Sequence, residues 1–519
     1  MQRLYRFALL AALIPSAWLA WTWREMPQAG IYHDDAINLV TARSLAMGQG
    51  YRIDSLPERP YQTKYPPLYP LMLSLVWKFH SNIEQALPRA ALLCWLMLAG
   101  AVFLTWTLLR QCGFDERGAA IVCVFLSLNP ACVMSGLLTM SELPMINLLL
   151  AAMLCAERGK PAWAGLIGGL AFLMRTSALP LLISLPVAFL WRGRRRDGAI
   201  TFASMIPFVA GWAGWTATHR YPSRDVTALF YIDYVGLYLQ DTSLAALPSL
   251  VWANLASLIQ AVGEFVLLDE GASFAMSMLA RLLLVGSVVG VIRLVRQGRM
   301  VAYAAFAVFY LPMVLLWNYP PNTRFLLPVL PLMAAALFTE ASKLAGAVRL
   351  SFRKPKPGDR IAAVVVLILL TLLVGYSLER SVFGLTRGIP RTFAARARDW
   401  NQQRPALEWL ARHVDPRAAV LSYSDPMVYL RTGRRGWSVR LPPSILKRGD
   451  QREIRKYFQA LPDFVRVHGL GFVYLTAQDY HFDVPSLTLP AYREAIASCG
   501  MMEPLVRWPN MSIYRVRLQ

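Results

Sequence analysis

The sequence predicts an α-helical polytopic membrane protein that ends in a small α/β domain. Three observations predict it. Hydrophobic residues make up 56% of the chain and charged residues only 16%, with a mean hydropathy of +0.39, a balance found in bilayer proteins rather than soluble ones. Long apolar stretches alternate with short clusters of Lys and Arg. From about residue 381 the charged fraction rises and the apolar runs shorten to strand length.

The formal net charge of +22 would suggest nucleic acid in a soluble protein. Here the basic residues fall between apolar segments, the pattern of cytoplasmic loops, so no nucleic-acid partner is expected. Cys94, Cys112, Cys123, Cys132 and Cys155 lie in or beside apolar segments and Cys499 stands apart. No spacing among them suggests zinc or a disulfide framework.

A bilayer crossing needs roughly 20 apolar residues. The first segment, 7–23, follows Arg3 and Arg6 and has no small-residue cleavage site, so it reads as an uncleaved span with a cytoplasmic N-terminus. The segment 66–79 is short for a crossing and reads as re-entrant. Spans follow at 88–109, 118–134, 143–156, 161–174, 177–191, 199–217, 274–295, 300–317, 325–342 and 361–378. This gives about eleven crossings, and the clusters "WRGRRRDG", "RLVRQGR" and "RKPKPGDR" all fall on one side, as the positive-inside bias requires. Residues 1–380 therefore form the transmembrane domain and 381–519 a domain on the outer, periplasmic side of a bacterial inner membrane.

In the C-terminal domain "RPALEWLARHV" reads as a helix and "AAVLSY" as a buried strand. "DPMVYLRTGR" reads as a helix, "GLGFVYLT" as a strand, "AYREAIASCG" as a helix and "MSIYRVRL" as a closing strand. Such alternation indicates a small α/β domain.

Once the chain is threaded, its unusual polar residues sort by side. Asp34 and Asp35, Lys64 and Tyr65, Glu142, Arg175 and Arg324 all come to the outer face. Ionisable residues at membrane depth are functional candidates by default. Structural readings stand beside the functional ones. The Asp pair suits a helix N-cap with a solvated neighbour, Glu142 a first-turn acid favoured by the helix dipole, and Lys64 and Arg324 side chains that snorkel to headgroups. Arg175 interrupts an apolar hairpin on the side where positive charge is disfavoured. His33 reads as a polar neighbour at the membrane surface.

Taken together, these acids and bases suit attack on an activated phosphate ester. An attacking hydroxyl needs a general base, which a carboxylate supplies. The departing phosphate needs cations where negative charge builds up, which Arg and Lys supply. A second carboxylate can orient the acceptor or hold a divalent cation, and Asp35 and Glu142 are the candidates for that ion. The acidic and basic residues also suit a transporter or flippase of lipid-linked saccharide, but there they should sit at mid-membrane within repeated halves. No internal repeat is present. A non-catalytic polysaccharide-assembly protein is the remaining alternative.

The segments "DDAINLVTARSLAMGQGY", "TKYPPLYPLMLSL", "TMSELPMINLLLAAMLC", "GGLAFLMRTSALP" and "RFLLPVLPLMAAALF" resemble, in order and spacing, the GT-C superfamily of polytopic glycosyltransferases. More narrowly they resemble its protein-mannosyltransferase-like and aminoarabinose-transferase-like branch (family 39/83-type), over most of the first 380 residues. The resemblance implies an inverting transferase that moves a hexosyl or pentosyl group from a polyprenyl-phosphate donor to a periplasmic-side lipid, polysaccharide or protein acceptor. It maps the base onto Asp34, its auxiliary onto Asp35, and phosphate binding onto Lys64, Arg175 and Arg324. The second acid is often Glu in that branch and is Asp35 here. The aminoarabinose-type enzymes carry Lys directly before a double proline, where this chain has Tyr65, with Lys64 one place earlier.

Overall fold

The computed structural model describes residues 2–80, 82–266, 274–353, 359–481 and 483–517. By its contacts the chain divides into two compact units, Met1–Arg24 with Ala91–Gly211 and Pro248–Phe393, and Glu25–Ala90 with Trp212–Leu247 and Ala394–Gln519.

The chain is a polytopic α-helical membrane protein carrying a small C-terminal sheet. Six helices among the described residues are long and apolar enough to cross a membrane: Arg3–Thr22, Ile83–Gln111, Arg195–Thr218, Leu244–Phe265, Met276–Arg296 and Arg360–His413. Four further apolar helices have 10–17 residues: Leu68–Trp77, Pro161–Met174, Thr176–Trp191 and Val301–Leu315. Helix Leu68–Trp77 occupies the segment read as re-entrant.

Two features of the first unit differ from the sequence reading. The stretch 118–134, expected to be one span, is a pair of helices, Glu116–Leu128 and Pro130–Leu137, bent by 59°. Pro130 cannot continue the ladder. Asn129 restarts the helix instead, its Oδ1 accepting from the amides of Ala131 at 3.0 Å and Cys132 at 3.3 Å. The second difference is the helix Leu247–Val266, which is absent from the threaded spans. Polar residues at 254, 260 and 264 dilute its hydropathy. Asn254 has a partner, however, since its amide nitrogen donates to the Leu315 and Trp317 carbonyls at 2.8 and 2.6 Å, where helix Val301–Leu315 ends.

The second unit is built on a five-stranded sheet. Its strands are β1 (Ala419–Leu421), β2 (Gly436–Trp437), β3 (Leu470–Thr476), β4 (Met502–Trp508) and β5 (Met511–Val516), in the order β2-β1-β3-β5-β4. β1 runs parallel to β2 and β3, while β5 is antiparallel to β3 and β4. The strands and helices read from the sequence are present, with β2, β4 and three short helices (Pro443–Arg448, Gln451–Phe458 and Leu461–Val467) added.

Alternation along the strands sorts residues to two faces. Val420, Tyr474 and Ile513 pack with Ala406, Leu407 and Leu410. Leu421, Val473 and Leu475 pack on the other face, in a core that also takes Ile37, Ile53 and Leu56 and, from a third segment, Ala228, Tyr231 and Ile232. This shared core makes one unit of three segments distant in sequence. The edge strand β2 is covered, because the Gly436 amide donates to the Ser55 carbonyl at 2.8 Å, which removes a pairing hazard.

Helix Pro161–Met174 lies close on helix Arg195–Thr218 through its glycines. A Cβ at Gly165 would sit 2.3 Å from the Thr201 carbonyl oxygen, and one at Gly169 2.3 Å from the Phe208 ring. Backbone cannot yield as a side chain does. Gly165→Ala is expected to destabilise the purified protein by about 1–3 kcal/mol, the usual cost of overpacking, seen as a lower thermal unfolding midpoint in detergent. An unchanged midpoint would refute this close approach.

Candidate active site

The seven residues singled out in the sequence fall into two sets, one in each compact unit. Glu142, Arg175 and Arg324 belong to the first, and Asp34, Asp35, Lys64 and Tyr65 to the second.

In the first set, three helix ends bring the charges together. Glu142 opens helix Glu142–Glu157, in the position expected of a first-turn acid. Arg175 stands in extended backbone between helix Pro161–Met174 and the turn Thr176–Ala178. Arg324 lies in the short helix Thr323–Leu326, whose N-terminus Asn322 caps by accepting from the Arg324 amide at 3.1 Å. Arg324 donates to Glu142 Oε1 from Nε at 2.8 Å and from Nη2 at 2.6 Å. Arg175 Nη2 lies 3.4 Å from the same oxygen, and its Nη1 donates to Ser141 Oγ at 2.8 Å. Burial alone would raise the Glu142 pKa, but the two guanidiniums hold it below the usual carboxylate range. The result is one buried acid fixing two bases, with a formal surplus of one positive charge.

In the second set, the Asp pair occupies the first turn of helix Asp34–Ala46 rather than its N-cap. His33 holds the cap position without a side-chain cap bond. Asp35 is fully buried. Its Oδ2 accepts from the Ile31 amide at 2.9 Å and its Oδ1 from the Ala36 amide at 2.8 Å, so its carboxylate ties the turn that carries Asp34. The two candidate cation ligands are thus engaged otherwise, Asp35 by backbone amides and Glu142 by guanidiniums. No group of three or more His, Cys, Asp or Glu side chains suited to a metal occurs among the described residues.

The loop that carries Lys64 and Tyr65 is folded by its own glutamine. Gln62 Oε1 accepts from the amides of Lys64 at 2.9 Å and Tyr65 at 3.2 Å, and Thr63 Oγ1 donates to the Ile232 carbonyl at 2.8 Å. Lys64 is buried instead of reaching towards solvent. Its Nζ donates to the Phe230 carbonyl and lies 4.2 Å from the Phe230 and Tyr234 ring centroids and 5.0 Å from that of Tyr65. The Tyr234 hydroxyl donates to that of Tyr65 at 3.3 Å. Burial lowers the Lys64 pKa to about 7, against the upward pull of Asp34 and with a further downward push from Arg440.

His33, read as a surface neighbour, is packed between Phe230 and Tyr231, with ring centroids 5.2 and 5.1 Å away. Sequence reasoning also missed Tyr231, Asp425, Ser438 and Arg440, all buried. The arginine in the otherwise apolar "WSVRLPP" and the "SDP" helix start were the available signals. Burial pushes the Asp425 carboxyl up to about 8, although Tyr231 and Arg440 pull it down. Burial, aided by Arg440 and Lys64, holds the His33 imidazole well below its ordinary value.

Comparison with known proteins extends this geometry to a fold. No protein-family model and no curated protein matches the chain. Among solved structures it is similar to the Archaeoglobus fulgidus oligosaccharyltransferase tethered with an acceptor peptide containing the NVT sequon, at 13% identity over 99% of this chain and 74% of that one, with a TM-score of 0.58. It is similar to AglB from the same organism in complex with an inhibitory peptide and a dolichol-phosphate, at 12% identity over 99% and 74%, with a TM-score of 0.55. It is also similar to ArnT from Cupriavidus metallidurans bound to undecaprenyl phosphate, at 12% identity over 98% and 97%, with a TM-score of 0.54. These are GT-C superfamily glycosyltransferases, and this chain has the GT-C fold.

Two outcomes follow from the charges. Unfolded, Lys64 titrates near 10.5 and folded near 7, so between those values the unfolded chain holds the extra proton. Stability then rises with pH across that window. Lys64→Met is expected to raise the thermal midpoint over wild type more at pH 6 than at pH 9; a pH-independent difference would contradict the assignment. Glu142→Gln removes the buried charge that two half-buried guanidiniums share and is expected to destabilise by about 1–3 kcal/mol, read as a lower thermal midpoint in the same assay. Wild-type stability would show that the triad contributes nothing.

Proposed function

We propose that the chain is an inverting glycosyltransferase that moves a sugar from a polyprenyl-phosphate donor to an acceptor on the outer face of a bacterial inner membrane. The observation that carries this reading is the pairing of Arg175 with Arg324 on one buried acid at the ends of apolar helices. A fixed pair of guanidiniums suits a phosphate on a lipid carrier, because it needs no rearrangement as charge develops on the leaving group. The fold supports the same reading, since structural neighbours include complexes with dolichol-phosphate and undecaprenyl phosphate.

On this reading Asp34 takes the proton from the acceptor group as that group attacks the sugar carbon. The bond from carbon to phosphate oxygen breaks on the opposite side, which inverts the centre and releases the polyprenyl phosphate. Asp35 acts through the turn it ties. Lys64 and Tyr65 border the base and shape its surroundings. The acceptor is a lipid, polysaccharide or protein of the cell envelope, and residues 381–519 contribute to holding it on the periplasmic side.

A deletion strain complemented with wild type or Asp34→Asn tests this. Envelope lipids and glycans would be compared by mass spectrometry at matched membrane levels of the protein. Asp34→Asn is expected to lower transfer of one sugar by about 10²- to 10⁴-fold, the range for a lost general base. Full complementation by Asp34→Asn would remove Asp34 from the mechanism.

A further inference from the structure

A line of buried polar groups in the second unit ends at the residue before Asp34. Arg440 Nε donates to Ser438 Oγ at 2.9 Å, and its Nη2 to the Tyr423 carbonyl at 2.9 Å. The Ser438 hydroxyl lies 2.8 Å from that of Tyr231, and Tyr231 donates to Asp425 Oδ1. The same Asp425 oxygen is 3.4 Å from His33 Nε2. The second Asp425 oxygen is buried without a hydrogen-bond partner.

Such an assembly is expensive. Four side chains with polar groups, Tyr231 and three from residues 425–440, are taken out of water, where apolar residues of similar volume usually serve stability as well or better. The backbone at the end of the line is also unusual. His33 has φ 66° and ψ −45°, a γ-turn in which the Asp34 amide donates to the Tyr32 carbonyl at 2.8 Å and which a residue with a Cβ holds only where its surroundings over-determine it. The His33 carbonyl accepts from the Ile37 amide at 3.0 Å, so the rotation of this one residue sets how helix Asp34–Ala46 begins.

We propose that Asp425 is a positioning residue: through His33 it holds the γ-turn that aims the Asp34 carboxylate. The C-terminal segment then serves the chemical step as well as the acceptor. This rests on the reading of Asp34 as the base. Asp425 touches neither substrate nor the reacting atoms in this scheme, and its effect passes through the backbone of His33.

The test uses full-length protein in detergent, with total envelope lipid and glycan extract of the deletion strain as the source of donor and acceptor. Asp425→Ala is expected to lower maximal turnover per mole of folded protein about 10- to 100-fold, as a small misplacement of a catalytic group does, with half-saturating extract within about twofold of wild type. Asp425→Asn keeps an acceptor oxygen for Tyr231 and His33 and is expected to stay within about threefold of wild-type turnover. In a His33→Gly background, Asp425→Ala should add less than about twofold, since the residue it acts through is gone. Full turnover by folded Asp425→Ala, equal losses for Asn and Ala, or additive losses in the double variant would each overturn the proposal. Should Asp425→Ala not accumulate, His33→Ala carries the test alone, because it keeps the Cβ that disfavours this backbone and removes the ring that Asp425 holds, so that wild-type turnover there is equally fatal. Asp34→Asn run alongside separates the two readings. If it is active, the base assignment falls; if it is inactive while Asp425→Ala is fully active, only the role of Asp425 falls.

Discussion

In an apolar medium every backbone amide and carbonyl has to find its partner within the protein, and this constraint shapes everything else in the first unit. Helices meet it along their length and leave unsatisfied groups only at their ends. Polar side chains therefore gather at ends and breaks. Asn129 caps a broken helix, Asn254 closes the carbonyl end of a neighbour, and Glu142 meets two arginines where three helical segments start or stop. The same rule that forces helices also decides where chemistry can be placed.

The second unit solves a different problem. A sheet with two apolar faces needs cover on both, and its own helices supply one while segments from much earlier in the chain complete the other. That arrangement brings Asp34 and Lys64 into one unit with Arg440 and Asp425. The polar groups there are taken out of water, and this burial is why Lys64 and Asp425 depart so far from their ordinary titration ranges.

Features with a local period were legible in the sequence. Apolar stretches became helices, and β1, β3 and β5 lie where strand-length runs were read. The candidates Glu142, Arg175 and Arg324 were found because charge beside apolar segments is conspicuous, and the structure gathers all three. Helix Leu247–Val266 was hidden because its polar residues have partners that only the folded chain reveals. β2 is two residues long, too short for any alternation to show. Asp425 and Arg440 matter through residues some 200 to 400 positions away, and no spacing records that. His33 looked ordinary because its significance lies in a backbone angle.

The three-part make-up of the second unit has a consequence for synthesis. Residues 25–90 emerge early, yet the core that buries Ile37, Ile53 and Leu56 closes only with strands near the C-terminus. Contacts so far apart in sequence form late and slowly, and until then apolar side chains around the candidate base have no permanent cover. A ribosome that stalls or terminates early therefore yields a chain whose helices can already be inserted but whose candidate site is unfinished. Such a partial product leaves Ile37, Ile53 and Leu56 without the strands that cover them, the kind of exposed apolar surface that quality-control proteases engage.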